Sequence, residues 1–252
     1  MRNSLKWLLH PGINLHARLR NRRLPAYFGR SSDTDQIRRV LDAGCGNGML
    51  SYQSYLRGNE VLGLSIKDNE VAGCRRLFNQ YLGIPEDRLR FKNANLYDIE
   101  FQDAEFDEII CTEVLEHIRD DDEICMKFWR ALKPGGALHI TAPNSAHPYN
   151  RDFPIDEHER GGHVRPGYTL AEFKSLLEPI GFKIELSDGL GGPVRQAVNR
   201  RIKEVQRKYG VAAGVPLFAL APPLLLFDSR QKERDLPFSI YVKAIKPKER
   251  GA

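Results

Sequence analysis

The sequence predicts an α/β fold with a doubly wound, seven-stranded, mostly parallel sheet, and three observations carry that prediction. The first is the stretch Val40-Leu41-Asp42-Ala43-Gly44-Cys45-Gly46-Asn47-Gly48, where an apolar run meets three alternating glycines. It reads as a buried strand, a tight turn and then a helix from Met49 to about Arg57. The second is that short apolar runs alternate with helix-like stretches along the chain. The third is the length of 252 residues, which fits one α/β domain with an insertion or a small lobe.

Residues 1–36 mix Leu5, Trp7, Leu8 and Leu9 with Arg18, Arg20, Arg22 and Arg23, and then reach Pro25, Tyr27 and Phe28. Two readings stand for this basic segment. It is a pair of short helices lying on the domain, or it is a lid over the cofactor and substrate or a basic surface for an anionic substrate or lipid headgroup. In the glycine stretch that follows, the missing Cβ atoms allow positive φ and a close approach of backbone to a ligand. A dinucleotide fingerprint runs Gly-x-Gly-x-x-Gly, whereas here the third glycine comes one residue early, at Gly48 rather than Met49. Asp42 precedes the first glycine. A carboxylate there repels a pyrophosphate and suits a cationic amino group.

Residues 60–66 form the second strand, and its end holds Ser65 and Ile66 where a doubly wound fold usually carries an acid for ribose hydroxyls. Residues 68–83 read as a helix and 88–92 as the third strand, followed by Asn93-Ala94-Asn95-Leu96. Residues 106–111 are a fourth strand, apolar on both faces as a central parallel strand is. It runs into Thr112-Glu113-Val114-Leu115-Glu116-His117. A helical turn over 113–117 would put Glu113 and His117 on one face, looking out from the carboxyl end of the sheet, where open α/β folds bind ligands. Glu116 reads as the structural anchor of that turn. For His117 a structural hydrogen bond and a catalytic role both stand.

Four carboxylates at 120–123 open the next helix, to about Leu132, and suit the partial positive charge of a helix start. Contiguous helical residues do not converge on one point, so no metal site is expected there. Lys133-Pro134-Gly135-Gly136 stops the helix, and 137–142 form the fifth strand. The connection over 145–168 is chemically the richest part of the chain, holding His147, Tyr149, Asp152, Asp156, His158, His163, Arg165 and Tyr168. A connection this long is usually functional or disordered, and its aromatic and histidine content argues for function. Thr169-Leu170-Ala171-Glu172 is a capping box that fixes the next helix and would hold His163 and Tyr168 near the site. Neutral histidine suits a general base near neutral pH. A metal pair of His158 and His163 has no evident third ligand.

Residues 181–187 are the sixth strand and 238–245 the seventh. Between them lies an insertion. Residues 195–209 read as a basic amphipathic helix, with Val194, Val198, Ile202 and Val205 at helical spacing, and 215–227 are almost wholly apolar and broken by prolines. The apolar part is too short for a membrane span, which takes roughly 18 residues or more. Pocket cover, a dimer face and docking at a membrane interface through 194–227 all stand. The organisation expected is therefore 1–36 as the basic segment, 37–188 with 237–247 as the cofactor domain, and 189–236 as the insertion.

Motif I at 40–48, together with Glu113-Val114-Leu115-Glu116-His117 and Leu132-Lys133-Pro134-Gly135-Gly136, resembles the class I S-adenosylmethionine-dependent methyltransferases, in order and at the right distances. The resemblance covers roughly residues 38–184. It implies a Rossmann-like methyltransferase fold, S-adenosylmethionine as cofactor, and methyl transfer to a small-molecule acceptor, lipid-linked or saccharide in view of the insertion. Carried over residue by residue, it implies Asp42, Gly44, Cys45, Gly46 and Gly48 around the amino acid portion, Ser65 and Ile66 near the ribose, Asn95 and Leu96 at the adenine, and Thr112 and Glu113 beside the methionine. Ser65 departs from the family's acidic residue. Asn95 replaces another acid, its amide oxygen being able to accept the adenine amino hydrogen bond. His117 and His163 are the catalytic candidates, in contact with the acceptor. A nicotinamide-dependent oxidoreductase and a non-catalytic or membrane-surface binding protein on the same fold are the alternatives.

Composition sets the remaining bounds. Lys and Arg number 38 against 33 Asp and Glu, a net charge of +5 that does not argue for a nucleic-acid partner. Cys45, Cys74, Cys111 and Cys125 form no Cys-x-x-Cys pair. They suit a reducing, cytoplasmic compartment, or the cytoplasmic membrane surface, and argue against a disulfide frame. The opening apolar run is too short for a signal peptide. Oligomeric state is left open.

Overall fold

The structure, a computed structural model, describes residues 14–31, 36–159, 161–224 and 235–248. Seven strands make one sheet: β1 Arg39–Ala43, β2 Glu60–Ser65, β3 Leu89–Asn93, β4 Phe106–Thr112, β5 Leu132–Pro143, β6 Lys183–Leu190 and β7 Ser239–Ile245. Their order across the sheet is β3-β2-β1-β4-β5-β7-β6. The pairs β1–β2, β1–β4, β2–β3 and β4–β5 are parallel. Parallel neighbours end on the same side, so the loops after β1, β2, β3 and β4 share one rim. The chain reverses direction across the sheet at β1, and such a switch point opens a crevice at the carboxyl ends.

By compactness the chain divides into a sheet unit, Tyr27–Asp188 with Ile240–Ala252, and a second unit, Met1–Ala26 with Gly189–Ser239. In the sheet unit the central strands are apolar on both faces, because helices cover both. Leu41, Ile109, Cys111, Leu138 and Ile140 are fully buried against Ile124, Phe128, Phe173 and Leu177 from the helices Asp121–Ala131 and Leu170–Leu177.

Two element boundaries differ from expectation. The Lys133–Gly136 turn does not end one element before the next begins: β5 runs from Leu132, since Gly135 N–H donates to Lys246 O at 2.8 Å and Lys246 N–H to Gly136 O at 3.0 Å. The pairing with β7's continuation extends the strand through residues that are helix stops in isolation. The helix predicted over 68–83 is α-helical over Asp68–Cys74 and widens to a π-helix over Arg75–Tyr81.

In the second unit Asn14 caps the helix Leu15–Arg23, its side-chain oxygen accepting from His16 N–H and Ala17 N–H, each at 3.0 Å. The basic helix spans Pro193–Tyr209. Its fully buried positions are Gln196, Asn199 and Ile202 rather than the valines. The reason is polar docking within the unit. Asn199 Oδ1 accepts Leu15 N–H at 3.0 Å, and Gln196 Nε2 meets His16 Nδ1 at 3.2 Å. A further helix, Val215–Leu224, forms despite its prolines. Pro216 occupies the first turn, where its missing N–H has no partner to lose. The expectations for Leu5, Trp7, Leu8 and Leu9, and for apolar residues 225–227, lie outside the described residues. Among the described residues no helix is long and apolar enough to cross a membrane.

Candidate active site

Each of the three turn glycines has positive φ, but their surroundings differ. A Cβ on Gly44 (φ +84°) would meet Val114 Cγ2 at 2.2 Å, and one on Gly48 (φ +72°) would meet Phe78, Cys74 and Phe91 at 2.8–3.0 Å. Gly46 (φ +51°) has nothing within 4 Å of that position. Gly44 and Gly48 are thus required by packing, and Gly46 leaves the rim open. Asp42 is buried, and Ser51 Oγ donates to its Oδ2 at 2.5 Å, which ties the end of β1 to the helix Met49–Tyr55. Gly44 N–H and Cys45 N–H both donate to Leu64 O, at 3.0 and 2.7 Å, so these residues shape the turn through backbone. The Cys45 thiol turns inward. A hydrogen bond with Cys74, burial and the Asp42 charge all push it far above the ordinary thiol range, so it is no nucleophile.

The rim continues after β2. Ser65 Oγ donates to Glu70 Oε2 at 2.6 Å and accepts Lys67 N–H at 3.2 Å. Glu70, in the first turn of the helix Asp68–Cys74, thus brings a carboxylate beside the end of the strand. Sequence reading passed over it because it sits five positions late; its place in a helix's first turn was the available signal. Ile66 is 65% exposed, an apolar platform at the crevice edge. After β3, Asn95 Oδ1 accepts Tyr97 N–H at 3.1 Å, the local role of a turn asparagine, and has a second lone pair for a ligand. Leu96 is buried in the sheet-unit core.

After β4 the expected helical turn over 113–117 is not formed. Glu113 is left-handed at φ 56°, and the 3₁₀ turn covers only Leu115–His117. Glu113 N–H donates to Thr141 O at 2.8 Å and Thr141 Oγ1 donates to Glu113 Oε1 at 3.0 Å, so β5 holds the strained residue. Strain of this kind, costing about 1–3 kcal/mol, concentrates at functional sites. Thr112, just before it, is buried at the strand end. Glu113 and His117 consequently do not share a helix face.

The 145–168 connection folds over this rim. Ile155 bridges to His163, Asp156 N–H donates to His163 O at 2.7 Å, and Val164 N–H donates to Glu116 O at 2.8 Å. His117 Nδ1 lies 2.9 Å from Gly162 O. The His163 ring packs edge-on against His117 at 4.7 Å between centroids and stacks on Phe153 at 4.3 Å. Burial and then the His117 charge lower the His163 pKa, while Glu113 raises it. Glu116 is buried, and one ligand atom from each of Glu116, His117 and His163 lies within 4.8 Å of the others. Glu116 and His117, rather than His158, are the titratable groups that the fold brings beside His163.

Other residues of the connection are structural. Tyr168 is buried with its hydroxyl on Asp121 Oδ2, and Arg165 reaches the same carboxylate and Ile118 O. The expectation that Tyr168 faces the site is therefore corrected: pairing with Asp121 turns it into the core. His147 is buried as the N-cap of the short helix Pro148–Arg151, its Nδ1 accepting Tyr149 N–H at 3.2 Å. At the opposite, amino end of β1 a crevice is lined by Arg39, Glu60 and Glu105, already joined as ion pairs.

Residues 41–140 match a family described as a methyltransferase domain. A ubiquinone biosynthesis O-methyltransferase of Bordetella avium is 31% identical over 59% of this chain and 65% of its own length. The mitochondrial ubiquinone biosynthesis O-methyltransferase of Homo sapiens is 28% identical over 60% of this chain and 43% of its own. The chain spans about half the length of the curated relatives it matches. Among solved structures, a phosphoethanolamine N-methyltransferase of Haemonchus contortus in complex with S-adenosyl-L-methionine has a similar fold. It superposes with a TM-score of 0.63 at 20% identity, over 96% of this chain and 60% of that one.

Proposed function

We propose that this chain, whose residues 41–140 match a methyltransferase domain family, is a class I S-adenosylmethionine-dependent methyltransferase that transfers a methyl group from that cofactor to a small-molecule acceptor. The observation that carries the reading is the open cradle at Gly46, which has positive φ and free space at the carboxyl end of β1. When bound, S-adenosylmethionine supplies a sulfonium methyl to an in-line nucleophile. The chain's own task is to bind, align and exclude water. Gly46 admits the amino acid portion, and the Asp42 carboxylate behind the turn favours its cationic group. Ser65 with Glu70 accepts the ribose hydroxyls, Ile66 covers the adenine face, and Asn95 accepts the adenine amino group through its second lone pair. Thr112 and Glu113 border the methionine, and His117 and His163 stand on the acceptor side.

The test is titration calorimetry with S-adenosylmethionine and S-adenosylhomocysteine, followed by incubation of methyl-labelled cofactor with cell extract and identification of the labelled product. Micromolar binding and one labelled product are expected. Failure of the intact protein to bind either cofactor form would sink the reading, and an NADH fluorescence change would favour the oxidoreductase.

A specific observation in the second unit favours a lipid-linked acceptor. Val211 and Leu220 are 72% and 68% exposed, and Arg200, Arg201, Lys203, Arg207 and Lys208 of the preceding helix, which packs against the segments that carry them, are exposed as well. Apolar side chains beside a basic face suit an anionic membrane interface, and we propose that as this unit's partner.

A further inference from the structure

We propose that Tyr97 is a positioning residue that ties the loop after β3 to the connection carrying His163, so that cofactor binding sets the acceptor side of the rim. What occupies the loop rests on the methyl-transfer reading above; the tie itself rests on distances. Tyr97 N–H donates to Asn95 Oδ1 at 3.1 Å, the same oxygen that the reading assigns to the adenine. The Tyr97 hydroxyl donates to Glu159 Oε1 at 2.8 Å and accepts the N–H groups of Arg119 and Asp120, each at 3.2 Å. One donated and two accepted bonds use the whole capacity of a phenol. Segments following β3, β4 and β5 therefore meet at one oxygen. Burial, against the pull of Asp120 N–H, raises the Tyr97 pKa, so near neutral pH the phenol keeps the proton it donates.

Glu159 is where the connection is held. Arg119 N–H donates to the same Oε1 at 3.0 Å, and the Arg119 guanidinium reaches Glu157 O. The held carboxylate is joined to the histidines through Asp156. Asp156 O accepts Glu159 N–H at 3.4 Å, its Oδ2 accepts Gly162 N–H at 3.1 Å, and its own N–H donates to His163 O at 2.7 Å. Gly162 O in turn accepts from His117 Nδ1 at 2.9 Å. A shift of Glu159 is thus passed to both rings.

The backbone of Glu159 is an independent observation. Its φ is +54°, left-handed, in a residue other than glycine. Glutamate rarely adopts that conformation, and strain of this kind collects at clamps and switches, where the surroundings over-determine it. A plain loop tie accounts for the hydrogen bonds but not for the strain, since glycine takes the same backbone freely. With the bonds of Tyr97 and Arg119 on one side and the left-handed backbone on the other, latched and relaxed turns differ little in free energy. A ligand then needs only a small preference to tilt them. An adenine on Asn95 steadies the loop from which Tyr97 reaches, which favours the latched turn. By linkage, the latched turn favours the cofactor by the same factor.

Hydrogen exchange of the full-length chain, read by mass spectrometry with and without saturating S-adenosylhomocysteine, tests the tie, with affinities taken by calorimetry. In the unaltered chain the ligand should slow exchange in the connection around Asp156 and His163 by about tenfold, within the usual span of coupling between sites. Tyr97→Phe keeps the ring and loses the hydroxyl. It should abolish that slowing and weaken ligand binding by about two- to tenfold, the coupling being lost rather than a contact. Glu159→Gln, whose amide oxygen still accepts, should keep most of the slowing, and Glu159→Ala should behave as Tyr97→Phe. A merely structural Tyr97 would alter exchange equally with and without ligand. Amides of β1 and β4 serve as the folding control; were Tyr97→Phe to lose their protection, Glu159→Ala, outside the sheet, carries the test. Ligand binding with no slowing in the unaltered chain, or with slowing unchanged in both Tyr97→Phe and Glu159→Ala, overturns the tie and leaves methyl transfer standing. No binding by the unaltered chain overturns the methyl-transfer reading, and the role of Tyr97 with it.

Discussion

The two units of this chain treat their apolar residues differently. In the sheet unit Leu41, Ile109, Phe128 and Phe173 end inside a continuous core. Among the described residues of the second unit, Leu15, Ile202 and Ala221 form a small buried cluster with Val198 and Phe218 packed against it, while Tyr209, Val211 and Leu220 are exposed. The first pattern is that of a scaffold that closes on itself and devotes one rim to chemistry. The second, among the described residues, keeps several apolar side chains at its surface. A local motif suffices to read the first, because its glycines and strand ends act within a few residues. The second is described by composition until its packing is seen.

Substitutions can break that comparison if ligand binding and surface docking do not separate by unit. The largest effect is expected from Gly46→Arg, which fills the open cradle. Cofactor affinity should fall by about 100-fold or more in calorimetry, while the left-handed backbone costs about 1–3 kcal/mol of stability. Retained binding would remove the cradle from the site. Next is Gly48→Val, where the added side chain meets Phe78, Cys74 and Phe91. Overpacking costs about 1–3 kcal/mol and strained backbone adds to it, so the urea midpoint should drop; an unchanged midpoint would mean that this turn is plastic.

In the second unit, Val211→Asp with Leu220→Asp should reduce flotation with anionic vesicles about tenfold, in line with lost apolar insertion, and leave S-adenosylhomocysteine affinity as it was. Equal flotation, or none in the unaltered chain, would count against the membrane partner.

The smallest effect concerns pH and sharpens the view of the sheet unit's core. Burial pushes the Glu108 carboxyl up to about 7, against the pull of Gly29 N–H and Arg38. Burial likewise pushes His139, 3.3 Å away, down to about 3. From about pH 4.5 to 7 the folded chain holds more proton on Glu108 than the unfolded chain, so that contribution fades as pH rises. From about pH 3 to 6.5 it holds less on His139, so that contribution grows with pH. The two oppose each other. Glu108→Gln removes the first and should make stability climb more steeply between pH 4.5 and 6.5, measured by urea midpoints; a profile parallel to the unaltered chain would show that Glu108 does not titrate there.

The strand runs, the early third glycine, the capping box of Thr169 and Glu172 and the order of the three family motifs were legible from the residues alone. Each depends on backbone geometry or on partners three or four positions away. Glu172 N–H indeed donates to Thr169 Oγ1 at 3.1 Å, and Glu172 Oε2 accepts Thr169 N–H at 2.6 Å. What could not be read was where a side chain goes when its partner is distant in sequence. Tyr168 looked like a site residue and is bound to Asp121; Glu116 looked like a turn anchor and lies beside His163; Ser65 looked like a gap and is joined to Glu70.

The sequence by itself determined the sheet, its glycine turn and the kind of cofactor the turn suits, because hydrophobic period and Cβ-free backbone act locally. Only the tertiary structure decided which carboxylates and imidazoles meet. Burial removes water as the competing partner, and a buried polar atom must then take whatever the fold brings within reach. At the rim after β4 the fold brings two histidines and a glutamate together.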